Sequence, residues 1–385
     1  MEYFDILVIG SGPAGATTAR ISAEHGLKVL LVDKRQELGS PIQCSGAISS
    51  HALHDVDVIP DSEFVSASIY GFSVYDSDGH ITRLDYREPK PEHYNRKPLG
   101  YVVDRRRFDR YLMTHAERVG ATVWLKTEAL GYERQANSSK IIVRLKRFGD
   151  EVRVKTKVLV GADGLQSQVG KWAGLKTHIK LSELASCLQF VVDGVETDGL
   201  LEIITGHKWA PGGYAWVFSK GENYAEVGLG VIRSITKNDA RWHLENFIKN
   251  SFMSHRLKHA KIIEVQGGGV PLTSPLQKQF ADNVILVGDA ARHINPITGG
   301  GIHTALRSGR IAGDFLSELL EIGKKPIEKN LVEYQDRWMK TQGHTMWRLY
   351  RIKRNIFKQR VAKRDKLLYQ TLSDYFRPES EYRKI

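Results

Sequence analysis

The sequence predicts an α/β fold in which a parallel-sheet domain is interleaved with an antiparallel-sheet domain and followed by a helical C-terminal region. Three observations carry this. A strand–glycine turn–helix–strand pattern occupies the N-terminus, a second buried strand followed by glycine and a long helix lies near residues 284–320, and strictly alternating segments fill the interval between them.

Residues 6–9 form an apolar run ended by glycine, as a buried parallel strand requires. A helix is expected over 14–25, capped by Gly26, and a second buried strand over 28–32 ends at Asp33. From 64 to 84 the pattern alternates, as in Ile69-Tyr70-Gly71-Phe72-Ser73-Val74, which marks a different layer. Helical spacing returns over 105–120 through Phe108, Leu112, Ala116 and Val119. Strands are expected at 122–125, 141–145, 152–160, 184–192 and 214–231, a helix at 240–252, a strand at 284–287 and a helix at 299–320. Because strand–helix units stand at both ends, the domains are expected to interleave. One comprises 1–63, 100–175 and 270–320, the second 64–99 and 176–269, and the remainder, 321–385, is a basic helical region.

The 385 residues include 41% hydrophobic and 26% charged residues, which excludes a disordered or collagen-like chain. Lys and Arg number 56 against 44 Asp and Glu, a formal charge of +12 and a pI near 9.4. That field favours acidic partners such as an anionic membrane surface or an acidic protein. Two cysteines, Cys44 and Cys187, make no metal-binding or disulfide framework, so a reducing cytoplasm is expected and no metal. The opening Met1-Glu2-Tyr3-Phe4-Asp5 is acidic where an export signal is basic, and residues 6–19 are too short and too rich in Gly and Pro to span a bilayer.

Gly10-Ser11-Gly12-Pro13-Ala14-Gly15 places a GxGxxG turn directly after the first strand. The first glycine makes the turn, the second admits a pyrophosphate, the third lets helix pack on strand, and the helix N-terminus offers N–H donors to phosphate. Asp33, 18 residues beyond Gly15 at the next strand's end, is placed to accept ribose hydroxyls, with Lys34 beside it. This is a Rossmann-like unit. Later, Gly299-Gly300-Gly301 before a helix offers unhindered N–H groups to an anionic ligand edge, although glycine runs also serve as plain turns.

Taken together, Gly10 to Gly15, Val160-Gly161-Ala162-Asp163-Gly164, and Val287-Gly288-Asp289-Ala290-Ala291 with Pro296, Gly299, Gly300, Gly301 and Ile302 resemble the three FAD-binding signatures of the flavoprotein hydroxylase and reductase superfamily. The resemblance implies FAD as cofactor, Asp163 and Gly164 near the nucleotide, and Gly288 and Asp289 at the pyrophosphate–ribityl region. Arg105 in Asp104-Arg105-Arg106-Arg107-Phe108-Asp109 is similar to the arginine that this superfamily places on the cofactor. Tyr214-Ala215-Trp216-Val217-Phe218-Ser219, followed by Gly228-Leu229-Gly230, resembles the Tyr-x-Trp-x-Phe-Pro … Gly-x-Gly signature of geranylgeranyl reductases, with Ser219 in place of the proline. Pro41-Ile42-Gln43-Cys44-Ser45-Gly46 is similar to that family's cysteine-bearing loop, which puts Cys44 and Gly46 at the cofactor. The fold implied is a Rossmann-like FAD-binding domain interleaved with an antiparallel-sheet substrate domain.

The activity implied is FAD-dependent reduction of isoprenoid C=C bonds in the geranylgeranyl chains of archaeal membrane glycerophospholipids. Cys44, Tyr214 and Trp216 are the catalytic candidates, Cys44 as proton donor or positioning group and the two aromatics as π faces toward developing positive charge. Tyr214, Trp216, Phe218 and Gly228 are the substrate-binding candidates. Read without the family, the alternating aromatics share one strand face and make either a core wall or the lining for a long apolar ligand. The donor of electrons is expected to be a ferredoxin or a reduced nicotinamide or deazaflavin. Gly267-Gly268-Gly269-Val270-Pro271 runs into proline and opens no second nucleotide helix.

Between 348 and 366 lie nine Lys or Arg and one acid, interleaved with Tyr350, Ile352, Ile356, Phe357 and Val361. This reads either as an interfacial amphipathic helix that holds the protein peripherally on a membrane, or as a surface helix packed on the body. No nucleic-acid module is visible. A flavin monooxygenase acting on an aromatic or quinone, and a non-catalytic prenyl-lipid escort, are the alternatives on the same fold.

Overall fold

The strand Glu2–Ile9 lies in the middle of its sheet because Ile6, Leu7 and Val8 are buried on both faces. The structure, a computed structural model, describes residues 1–42, 44–87, 97–135 and 138–376. Gln43 of the cysteine-bearing loop, residues 88–96 of the segment 64–99 and residues 377–385 of the C-terminal region lie outside the described residues.

In the first sheet Val284–Leu286, Asp150–Gly161, Glu2–Ile9, Val29–Val32 and Thr122–Trp124 run parallel in that order. The long strand Asp150–Gly161 first pairs antiparallel with Ile141–Arg147 and then, beyond Thr156, with Val284–Leu286. The chain's two ends are thereby joined in one sheet, as the paired strand–helix units predict. The helices Pro13–Glu24 and Ile302–Glu321 pack together on one face of it.

The second sheet has the order Lys261–Pro271, Leu184–Asp193, Tyr224–Ile232, Tyr214–Ser219, Leu200–Thr205, Gly71–Tyr75 and Ile81–Asp85. Its pairs are antiparallel except that of Leu200–Thr205 with Gly71–Tyr75. Alternation decides which residues face where. Ala215, Val217, Val227 and Leu229 pack beneath the helix Ala240–Asn250, whereas Tyr214, Trp216 and Phe218 join Ile297, Leu368 and Leu372 on the opposite face. A third, three-stranded sheet has the order Ala47–Ser49, Gly100–Val103, Val65–Ile69, antiparallel throughout.

The C-terminal region departs from the single amphipathic stretch of the sequence reading. It forms the helices His344–Phe357 and Val361–Tyr375, broken at 358–360, and Met346, Ile356, Leu368 and Leu372 bury against the protein. Phe376 stacks on Phe72 at a centroid distance of 4.5 Å, and Tyr369 meets Thr82 at 2.7 Å. The apolar side of these helices is used within the molecule, while Arg348, Arg351, Arg354, Lys358, Arg360, Lys363 and Lys366 stay exposed.

Candidate functional site

The three glycine signatures converge at the carboxyl ends of the parallel strands. Gly10 adopts φ +101°, and a side chain there would strike the carbonyl of Ala162 in the second signature. A Cβ on Gly288 would lie 2.9 Å from Cβ of Ala14, so the third signature abuts the first. Gly12 is the N-cap of the helix Pro13–Glu24 and supplies no side-chain cap, and the space beside its Cα is open. The first-turn N–H groups of that helix are therefore free of a capping side chain, the arrangement that receives a pyrophosphate.

Asp33 is 3% exposed. One of its carboxylate oxygens accepts from Ser11 N at 2.9 Å and Oγ at 2.8 Å, and the other from Arg35 N at 2.9 Å and Nε at 3.1 Å. Burial works to raise its pKa, but Arg35 and the backbone donors outweigh that and hold the carboxyl below the usual range. Lys34, next along, is exposed. Asp163 is committed to the chain itself: it accepts from Ser167 Oγ at 2.7 Å, Gln168 N at 2.7 Å and Val169 N at 3.0 Å, and so caps the short helix Gln168–Trp172. Gly164 turns the chain there with φ +77°.

Nearer the second sheet, Arg105 pairs bidentately with Asp109 at 3.0 and 2.9 Å. Burial lowers the Arg105 pKa, but Asp109 and then Cys44 more than reverse this, so the guanidinium stands above its ordinary value. The Asp289 carboxyl is raised by burial, with Arg105 pulling the other way. Gly301 lies against Asp289, 3.4 Å from Oδ1 to where a Cβ would stand, and Ile302 begins the long helix. Arg105, Cys44, Asp289 and the loop 296–301 thus share one locality, drawn from four separate parts of the sequence. Cys44 Sγ accepts from Gly46 N at 3.4 Å.

On the facing sheet Trp216 pairs with Gly228, and a Cβ at Gly228 would lie 2.5 Å from the indole Cζ2. Only glycine leaves the ring its place. Trp216 and Phe218 are 8% and 5% exposed, and Trp216 Nε1 has no hydrogen-bond partner among the described residues. Tyr214 donates its hydroxyl to the carbonyl of Thr298, inside the loop that carries Pro296 and Gly299–Gly300–Gly301, and burial pushes its phenol well above the ordinary value. The aromatic strand is therefore tied directly to the third glycine signature.

Sequence reasoning passed over four polar residues here. Glu226, wholly buried, pairs with Lys220 at 2.8 Å, and Gln189 donates to Gln266 at 2.5 Å on the same sheet face. The available signal was a charge or amide inside otherwise apolar strands, most plainly the glutamate in Tyr-Ala-Glu-Val-Gly-Leu-Gly. Cys187, read as packing, lies against Gly230 on this face, and burial pushes its thiol up to about 12, with Cys44 adding to the effect. An open cavity of about 520 Å³, lined by His51, Phe72, Tyr86, Leu99, Tyr101 and Phe376 among others, borders the same apolar cluster through Phe72 and Phe376.

The profile of an FAD binding domain matches residues 5–77, and that of the geranylgeranyl reductase catalytic domain matches residues 183–270, the span that contains the aromatic strand. The cofactor is FAD, and the uncapped helix N-terminus, the open face at Gly12 and the clustered third signature fit it. A geranylgeranyl bacteriochlorophyll reductase-like protein of Thermoplasma acidophilum superposes with a TM-score of 0.88 at 32% identity, covering 96% of this chain and 91% of that one. A myxobacterial chondrochloren halogenase, 19% identical with a TM-score of 0.73 over 91% of this chain and 82% of its own, shares the fold alone. The digeranylgeranylglycerophospholipid reductase of Methanothrix thermoacetophila is 39% identical over 88% of this chain and 84% of its own, and that of Methanocaldococcus jannaschii is 39% identical over 88% and 82%. With relatives 39% identical over 88% of its length, this chain belongs to the digeranylgeranylglycerophospholipid reductase family.

Proposed function

We propose that this protein reduces isoprenoid C=C bonds in the geranylgeranyl chains of a membrane glycerophospholipid. The carrying observation is the hydrogen bond from Tyr214 to Thr298, which brings an aromatic, apolar strand face against the loop of the third cofactor signature. Bound and reduced, FAD supplies the hydride equivalent.

The chain's own residues bind, orient and protonate. Trp216 and Phe218 line the bound chain and exclude water, and the flat indole face favours positive charge developing on an alkene carbon by about 0.5–2 kcal/mol. Tyr214 acts as a positioning residue, because its hydroxyl is engaged by the Thr298 carbonyl. Cys44, held by the Gly46 N–H and beside Arg105, is the proton source at Sγ. The cavity bordered by Phe72 and Phe376 takes the remainder of the lipid, being within the usual size of a ligand site at about 520 Å³. The exposed cations of the C-terminal helices meet an anionic bilayer surface while the protein stays peripheral; among the described residues no helix is long and apolar enough to cross a membrane.

The test is anaerobic incubation of dithionite-reduced holoprotein with vesicles that contain an unsaturated diprenyl glycerophospholipid, followed by mass analysis of the lipid and sedimentation of the vesicles. A gain of two hydrogens per bond, with protein in the vesicle pellet at low salt, is the expected result. Unchanged lipid beside fully reduced flavin would sink the reductase reading, and protein left in the supernatant would sink the membrane one.

A further inference from the structure

Strand periodicity extends the aromatic face by one residue. Tyr214, Trp216 and Phe218 point to the site, and so does Lys220, the next residue of that parity at the start of the hairpin turn. On the neighbouring strand Glu226 stands opposite Phe218, as Gly228 stands opposite Trp216. The Lys220 ammonium has three N–H donors and three oxygens around it: Glu226 Oε2 at 2.8 Å, Val103 O at 3.4 Å and Ser45 O at 3.5 Å. The two carbonyls flank the turn that holds Cys44. Ser45 follows the cysteine directly, and Val103 takes its own N–H bond to Gly46 O at 3.0 Å. Gly46 N in turn donates to Cys44 Sγ.

A carboxylate with no solvent exposure is costly unless paired, and burial raises the Glu226 pKa against the opposing pull of Lys220. Surface packing has no need of such a pair. What it accomplishes is to bring a fixed positive centre from the second sheet onto the backbone of a loop that belongs to the other part of the chain.

We infer that Lys220, held by Glu226, is a positioning residue that locks the turn 44–46 and so keeps Cys44 in its place against the buried cluster that contains Ile48 and Ile302. The pair works through the turn, by way of the Ser45 and Val103 carbonyls. Its bearing on turnover rests on the reductase reading given above; its bearing on the cysteine does not.

The experiment uses the FAD-loaded protein and the variants Lys220→Met, Lys220→Arg and Glu226→Gln. Iodoacetamide labelling without lipid, mapped by peptide mass, reads the rate at Cys44, with Cys187 as a slow internal reference because its thiol lies near 12. Lys220→Met is expected to fold, since Glu226 can take up a proton instead of remaining a buried charge. It should label Cys44 several-fold faster than the parent while retaining flavin absorbance. Turnover of diprenyl lipid should drop about 10- to 100-fold with KM little changed, as expected when a reacting group is misplaced. Lys220→Arg should restore most of both. Parental labelling rate in folded Lys220→Met, or a slower one, overturns the inference. Should Lys220→Met lose its flavin, Glu226→Gln decides in its place: faster labelling supports the lock, an unchanged rate overturns it. A parent inactive on the lipid would remove the reductase reading and leave the labelling arm to stand or fall by itself.

Discussion

Trp216 shows what a single position contributes. Its ring is 8% exposed and its Nε1 has no partner among the described residues, a condition that costs about 1–3 kcal/mol for a buried donor. The indole is kept there by shape, on the floor that Gly228 leaves bare. A methyl at Gly228 would come within 2.5 Å of Trp216 Cζ2 and 2.6 Å of Gln189 Cβ, neither of which is the loose end of a flexible chain. Gly228→Ala should therefore tilt the ring at an overpacking cost of about 1–3 kcal/mol, red-shift the tryptophan emission and leave the flavin spectrum intact. Lipid turnover should fall by roughly tenfold or more, the equivalent of about 1.4 kcal/mol. Parental kinetics in a folded Gly228→Ala protein would show that the ring's position is immaterial. The shared face of Tyr214, Trp216 and Phe218 was legible in the sequence, since period two is a property of any strand. The ring's dependence on Gly228 was not, because it needs the register that sets residue 216 opposite residue 228.

The helix pair that closes the cofactor domain illustrates the same point one level up. Pro13–Glu24 and Ile302–Glu321 are 289 residues apart at their starts, yet they pack so closely that a Cβ on Gly309 would collide with the carbonyl of Ala14 and one on Gly313 would lie 2.6 Å from Cβ of Ile21. Each helix was legible from its spacing and its glycines, and so was the coexistence of nucleotide-type units at both ends. Their contact was not written locally: the small residues at 309 and 313 acquire meaning only when the parallel sheet sets the second helix beside the first. The same holds for the C-terminal region, where composition left a membrane-facing and a body-packed reading open. Leu368 and Leu372 went to the interior because the second sheet's aromatic face offered them apolar surface. Gly309→Leu should separate the two helices, lower the thermal midpoint of the FAD-free protein by several degrees, as about 1–3 kcal/mol of overpacking implies, and weaken FAD retention on gel filtration. A flavin-loaded variant with the parental midpoint would contradict that tight packing.

Across the whole molecule, the C-terminal helices join the second sheet, the small sheet and the third cofactor signature, and one buried lysine makes that assembly sensitive to pH. Lys353 is 6% exposed, donates to the carbonyl of Leu272, lies 5.4 Å from the Phe357 ring, and shares its cavity with Tyr214 and Pro296. Burial lowers its pKa from 10.5 to about 8, and Glu183, the carboxylate facing it, offsets only part of this. Glu183 is itself engaged by Tyr350 and by Thr273 Oγ1 at 3.2 Å, so its charge is divided among several partners. Below about 8 the folded protein carries a charged ammonium in an apolar wall; between that pH and 10.5 the folded form has released a proton that the unfolded chain still binds. The stability contributed by the depressed pKa is therefore complete above 10.5 and lost as pH falls through about 8. Replacing the side chain by an apolar one of similar length removes the titration. Urea midpoints of the parent and Lys353→Met, measured from pH 7 to 10.5, should show the parent gaining on the variant as pH rises, by about 3 kcal/mol in all. The change should be centred in the upper half of that range, where no ordinary carboxylate or histidine titrates. A difference between the two proteins that stays constant with pH would mean that the lysine keeps its charge at the seam, and that the seam is wetter than its apolar lining implies.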